Sequence, residues 1–315
     1  MGAGGGHPRF LIAAVTALLA PLLALMATIG SGTVVGASSP SGYWLGADDG
    51  GVFAFGVPYF GNQTIPEICL EGCGIAGWPS GGGYWVLTTG PESQGSPGGP
   101  IVAGLSGSQT PTFAPLCLPD RCVDTPASTT RPWRITGVPG LKYGVLGLNA
   151  DGAVYAVHGP NPSDYAQTYG SMAGRPFVGS MVGITSTPDG KGYWMVASDG
   201  GVFAFGDATF EGSMSGKQLN APVVAIAATP DGKGYWLASA DGGVFAFGDA
   251  TFDGSVAGVP LNGPVVGLAA DPSGSGYWLA ASDGGVFAFG SAPFRGSLAG
   301  TRLNAPVTSI AASPS

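Results

Sequence analysis

Along the C-terminal half of the chain, apolar residues fall in short consecutive runs rather than in strict alternation. GYWMVAS, GGVFAF and PVVAIAA are typical. Each run is rich in Val, Phe, Tyr or Trp and bounded by Gly, Asp, Pro or Asn, which predicts β-strands. Consecutive apolar residues such as Val244-Phe245-Ala246-Phe247 require cover on both faces of the strand. No window has the three-to-four-residue apolar spacing of a helix. Between the runs, PDGK and SDGG carry Asp-Gly pairs, which supply the positive backbone angles that tight hairpins need. A weaker fourth strand is expected at TFDGSVAG.

This set of elements is copied in tandem. The stretch beginning at Gly192 returns almost verbatim at Gly234 and Gly276, a period of 42 residues. Four antiparallel strands in roughly 40–50 residues is the size of one propeller blade. The Trp-Asp signature of WD40 repeats is absent. The Gly-Tyr-Trp motif stands at Gly42, Gly83, Gly192, Gly234 and Gly276, with a degenerate sixth copy at Gly144-Val145-Leu146. First strands begin near Cys73, Pro132, Ser180, Pro222, Pro264 and Pro306. The chain after its leader thus opens on a second strand and stops after an isolated first strand. The expected fold is an all-β, six-bladed β-propeller of four-stranded blades over residues 38–315, with the C-terminal strand completing the first blade and removing exposed sheet edges.

Spacing departs from the period in the second and third copies. Trp85 to Ile101 and Ile101 to Pro132 are both longer than in the regular copies, because of insertions at 90–99 and 117–131. Both are expected on one face, although the weak strand before the second leaves its register open. A smaller insertion at 158–167 is expected on the opposite face.

Residues 1–37 read as an export signal: Arg9 precedes an apolar run from Phe10 to Gly30, and Val35-Gly36-Ala37 offers a cleavage pattern. Uncleaved, residues 10–30 are long enough to serve as a membrane anchor. The 44% apolar content and the 10% of charged residues describe a folded body rather than a disordered one. With Arg9 removed, ten basic residues face nineteen acidic ones. Nucleic acid is not an expected partner, since its recognition rests on clustered Lys and Arg.

Four cysteines in an exported chain favour disulfides. Cys69 with Cys73 and Cys117 with Cys122 are the sequence-close pairings; bonds between the two loops, or a zinc site, would use the same four residues.

Little else in the chain suggests chemistry. Asp49, Asp151, Asp199, Asp241 and Asp283 share one repeat position, where Asp before Gly caps a turn; the competing reading is a cation collar. The spacing of calcium-binding loops is absent, and neither a metal nor a cofactor is expected. Of two histidines, His7 lies in the leader, and His158 has no nucleophile elbow beside it. Glu67, Glu71, Glu92 and Glu211 are scattered through loops, and no catalytic residue is assigned. Trp44, Trp85, Trp194, Trp236 and Trp278 recur with the strand and are expected to pack between blades. Trp78 and Trp133 lie outside the repeat beside the insertions; with Glu92 and Arg121 they are the expected ligand-binding residues.

The runs GYWLASADGGVFAFGDATFDGS and LNGPVVGLAADPSGSGYW resemble a tandem repeat of exported, cell-wall-associated proteins of high-GC Gram-positive bacteria, loosely described as WD40-like or kelch-like. The resemblance is strong over 192–315 and 42–56 and weak over 61–179. It implies an extracellular or cell-envelope module that binds or scaffolds, and it brings no catalytic residues. The function expected is therefore a secreted, monomeric binding module recognising a cell-surface glycan or protein through the enlarged loops at 59–80, 90–99 and 117–134. The alternative is a glycan-acting hydrolase or lyase using loop carboxylates such as Glu71 and Glu92. A wall spacer without a ligand is a third reading.

Overall fold

The structure is a computed structural model and describes residues 41–60, 74–77, 83–89, 100–106, 112–118, 121–122, 134–141, 144–157 and 166–313. Residues 1–40, which include the expected export signal, lie outside these, as do residues 61–73, 78–82, 90–99, 123–133 and 158–165. Among the described residues every regular element is a strand, and no helix is long and apolar enough to cross a membrane.

Six units, each holding three antiparallel strands, account for nearly all of the strands. The three copies that repeat most closely form separate sheets: β11 (Met181–Ser186), β12 (Gly192–Ala197) and β13 (Val202–Gly206); β14 (Val223–Ala228), β15 (Gly234–Ser239) and β16 (Val244–Gly248); β17 (Val265–Ala270), β18 (Gly276–Ala281) and β19 (Val286–Gly290). These are units 4, 5 and 6. Unit 1 is assembled from both ends of the chain. Its strands β1 (Tyr43–Ala47) and β2 (Val52–Phe55) are completed by β20 (Val307–Ala312), which pairs antiparallel with β1 from Tyr43 opposite Ala312 to Ala47 opposite Val307. The complementary chain ends therefore meet as the motif count requires.

Units 2 and 3 share one sheet. Unit 2 has β3 (Ile75–Gly77), β4 (Gly83–Thr89), β5 (Pro100–Ser106) and β6 (Thr112–Leu118), with β7 (Arg121–Cys122) folded back on β6; unit 3 has β8 (Arg134–Gly137), β9 (Val145–Leu148) and β10 (Val154–Val157). The two join edge to edge, Ala156 of β10 opposite Cys117 of β6. Unit 2 is thus the one unit, among the described residues, whose sheet has its own fourth strand.

That corrects the expectation of four-stranded blades. In units 4, 5 and 6, the segment after the third strand forms no ladder. It is fixed instead by side chains from the units on either side of it. The indole nitrogen of Trp194 donates to the Thr209 carbonyl at 2.7 Å. The Tyr235 hydroxyl of the next unit accepts from the Glu211 amide at 3.1 Å and donates to the Gly212 carbonyl at 2.6 Å. The arrangement recurs with Trp236 and Tyr277. It also crosses the chain ends: Trp278 holds the Pro293 carbonyl, and Tyr43 holds the Arg295 amide and the Gly296 carbonyl. Glycine is required beside each tyrosine. At Gly254, φ is +130°, and a Cβ would stand 2.8 Å from the ring of Phe289.

The repeated tryptophans are interior packing, as expected. Trp44, Trp85, Trp194, Trp236 and Trp278 are all buried. Each of four meets the tyrosine of the next unit, with ring centroids 5.2–5.7 Å apart. That tyrosine also lies against a phenylalanine of its own sheet, such as Tyr235 with Phe247 at 5.6 Å. Burial pushes the hydroxyls of Tyr43, Tyr84, Tyr193, Tyr235 and Tyr277 upward from the ordinary tyrosine value.

Candidate functional site

The shared position of Asp49, Asp151, Asp199, Asp241 and Asp283 is occupied by turn caps. Each carboxylate accepts the backbone amide two residues on, for example Gly201 to Asp199 at 2.9 Å and Gly285 to Asp283 at 2.9 Å. The same turns hold a positive-φ glycine, such as Gly242 at +83°. This is the arrangement that Asp-Gly favours in hairpins, so the cation-collar reading gains nothing. Among the described residues, no group of three or more His, Cys, Asp or Glu is placed to hold a metal.

A cavity of about 280 Å³ is bordered by six first strands, β3, β8, β11, β14, β17 and β20. Its wall is largely Val, Ile, Ala and Gly, with Thr136, Thr185, Thr308 and Ser309. Arg134 is the one charged residue among those lining it. Register explains why Arg134 stands out. The last residue of each first strand pairs with the residue after the motif glycine, as Ala228 does with Tyr235 and Gly137 with Val145. Three residues earlier, the six units carry Gly74, Arg134, Gly183, Ala225, Gly267 and Ser309. The small residues let neighbouring first strands approach closely: a Cβ on Gly267 would be 2.9 Å from Ile310, and one on Gly183 3.0 Å from Ile226. Arginine at this position lies in a narrow space, and desolvation pushes its pKa down from the ordinary arginine value.

At one end of the cavity Pro139, Pro188, Pro230 and Pro272 form a shallow mouth together with Thr229 and Asp271. Units 4 and 5 place a threonine at this position. The Thr187 hydroxyl donates toward Asp189 at 2.9 Å and accepts the Gly192 amide at 2.9 Å, and Thr229 does the same with Asp231 and Gly234. Unit 6 exchanges the two residue types: Asp271 is buried, one oxygen takes the Ser273 hydroxyl, and the other, Oδ1, has no hydrogen-bond partner.

The residues singled out from sequence fall mainly at the second and third units. Arg121 and Cys122 lie on β7 and Cys117 on β6, so two cysteines placed in a loop belong instead to a strand pair; the backbone register sets Cys117 directly opposite Cys122. Trp78, Glu92, Trp133, Cys69 and Cys73 lie outside the described residues, as do Glu67, Glu71 and His158. Glu211 lies in the connection between units 4 and 5, its backbone amide bound by Tyr235. Two features escaped the sequence reading. Arg134 is distinctive only once the strands are in register. The repeated aromatic before Glu211, Asp253 and Arg295 was legible as a pattern but was assigned to a fourth strand. No family model and no curated protein matches this chain.

Proposed function

We infer that this chain is a non-enzymatic β-propeller module of the cell exterior that binds a glycan or a protein through its enlarged second and third units. Six blades close into one ring. Closure is supported by the order in which first strands pack, β8 on β11, β11 on β14, β14 on β17, β17 on β20, β20 on β3 and β3 on β8, around a single cavity. It is supported again by the Tyr43–Trp278 contact across the chain ends.

The observation that carries the binding reading is the edge-to-edge joint of β6 and β10. Elsewhere the recurrent Trp and Tyr are used in junctions and the recurrent Asp in turns. Units 2 and 3 depart from that pattern, adding β6, β7 and the insertions at 90–99 and 117–131. Rigid scaffolds with enlarged loops at one place commonly bind there. Trp78, Glu92, Arg121 and Trp133 are the proposed contacts. A Cys117–Cys122 disulfide would brace the β6–β7 turn, consistent with an oxidising exterior.

The test replaces residues 90–99 and 117–131 by short turns and compares capture of envelope glycan and envelope protein fractions. A drop in capture below that of the parent, with an unchanged melting temperature, supports the reading; capture equal to the parent's in both fractions overturns it. Turnover of a captured glycan, abolished by Glu71→Gln or Glu92→Gln, would instead favour the hydrolase or lyase alternative.

A further inference from the structure

Four large aromatic side chains are exposed at equivalent junctions: Phe210 (56%), Phe252 (57%) and Phe294 (60%) at one repeat position, and Tyr59 (53%) one residue earlier in a connection shortened by one. Each follows the residue whose carbonyl receives a buried indole N–H: Pro58 from Trp44, Thr209 from Trp194, Thr251 from Trp236 and Pro293 from Trp278. On the other side of Phe210, Phe252 and Phe294, the next amide is held by the tyrosine hydroxyl of the following unit. The rings are therefore presented from a backbone pinned on both flanks, and ordering them on a ligand costs little conformational entropy.

Their junctions are neighbours, between units 4 and 5, 5 and 6, 6 and 1, and 1 and 2. The series ends where the repeat breaks: Thr168 stands at the matching place between units 3 and 4, and unit 2 has β6 instead. The series begins beside the first turn of each sheet, since the Asp207 amide donates to the Lys191 carbonyl and the Asp249 amide to that of Lys233. Exposed phenylalanines scattered singly need no explanation, but one per junction on four consecutive junctions is a regular array.

We propose that this array binds a neutral polysaccharide, one sugar ring stacking on each aromatic. The apolar C–H face of a pyranose matches an exposed aromatic face, and its hydroxyl rim needs polar groups around that face. Such groups stand beside three of the four rings, Thr209, Asp207 and Glu211 at Phe210, Thr251, Asp249 and Asp253 at Phe252, and Ser291 and Arg295 at Phe294, while Tyr59 carries its own hydroxyl. The acidic flanks and the net charge of −8 oppose a polyanionic glycan. A protein partner fits less well, because a stable interface covers about 800 Å² per side with a continuous core, whereas Phe210, Phe252 and Phe294 each have polar sequence neighbours. A ligand that itself repeats can engage several rings at once, so weak single contacts add by effective concentration.

The proposal does not depend on the enlarged loops of units 2 and 3. Its test is affinity electrophoresis of the full protein in native gels containing a soluble β-glucan, an α-mannan or an arabinogalactan, with alginate as the anionic control. Retardation is expected with at least one neutral polymer and not with alginate. Phe252→Ala alone should weaken retardation by about three- to tenfold, and the combined Tyr59→Ala, Phe210→Ala, Phe252→Ala and Phe294→Ala variant by about a hundredfold or more. Exposed positions leave the fold intact, which the melting temperature checks. The version with shortened loops should be retarded like the parent, so this array and the loop site fail separately. The proposal is overturned by no retardation in any neutral polymer, by equal retardation of the fourfold variant, or by sedimentation showing that the parent self-associates through these rings and the variant does not.

Discussion

Units 4 to 6 and units 2 and 3 solve the same packing problem differently. In the regular units the sheet stops at three strands, and the outer segment is tied down by one indole and one phenol from neighbouring sheets. In unit 2 the outer segment is a true strand, β6, whose far edge is taken by β10 of unit 3. Unit 3 has Val145 and Leu146 where the regular copies have Tyr and Trp. Without those polar tips it cannot staple a connection in the same way, and backbone pairing takes over the task. The lesson is that a junction here needs hydrogen bonds to its connecting segment, from side chains or from a ladder.

The largest expected effect comes from breaking unit 1. Deleting residues 304–315 removes β20, exposes the edge of β1 and uncovers the Tyr43–Trp278 contact. Soluble expression should be lost or the melting temperature should fall by more than about 10 °C, well beyond the ~2–4 °C that 1 kcal/mol moves a domain of 150–250 residues or more. A truncated protein that melts like the parent would refute end-to-end completion. Next, Trp236→Ala should cost about 3–5 kcal/mol in denaturant unfolding, as for other large buried aromatics, since it removes both the ring contact with Tyr277 and the bond to Thr251.

A change in the opposite direction sharpens the comparison among regular units. Asp271→Thr with Ser273→Asp gives unit 6 the turn of unit 5 and removes the buried carboxylate oxygen left without a partner. Stability should rise by about 1–2 kcal/mol, within the usual cost of an unsatisfied buried polar atom. A loss of stability would show that Oδ1 is satisfied in another way.

The stapling hydroxyls also set a pH limit. Burial raises the pKa of Tyr43, Tyr193, Tyr235 and Tyr277 in the folded state. Their contribution is complete below the unfolded tyrosine value of about 10 and declines as pH rises from there through the folded values. Tyrosinate absorbance should therefore grow together with unfolding above about pH 10, rather than as independent titrations of a folded protein. The smallest effect is expected at the exposed closing junction. Arg295 replaces the acid of the other junctions and donates from Nε to the Ser41 carbonyl at 3.0 Å; Arg295→Ala should cost about 0.5–1 kcal/mol.

Much of this architecture could be read from the chain. The period, the three strands of each copy, the Asp-Gly turns and the split first unit all follow from local patterning, and Tyr43 to Ala47 does pair with Val307 to Ala312. The candidate site was far less legible. Cys122 reads as a loop residue because a two-residue strand leaves no periodic trace, and Cys117 because Pro115 interrupts the run of β6 before it. Arg134 looked like an ordinary polar residue after Trp133, since only register sets it among Gly74, Gly183, Ala225, Gly267 and Ser309.

What the sequence determined by itself was whatever a short window encodes: apolar runs covered on both faces, turn chemistry, and a repeat long enough to count. What tertiary structure alone decided was which groups satisfy the outer segment. TFDGSVAG has strand-like residues, yet its Thr251 and Gly254 carbonyls and Asp253 amide are claimed by Trp and Tyr side chains from two different sheets, and its Val256 amide by the Gly242 carbonyl; at the closing junction the tyrosine is Tyr43, 253 residues away from Gly296. A backbone group can take the partner that packing brings nearest, and no local pattern records that choice.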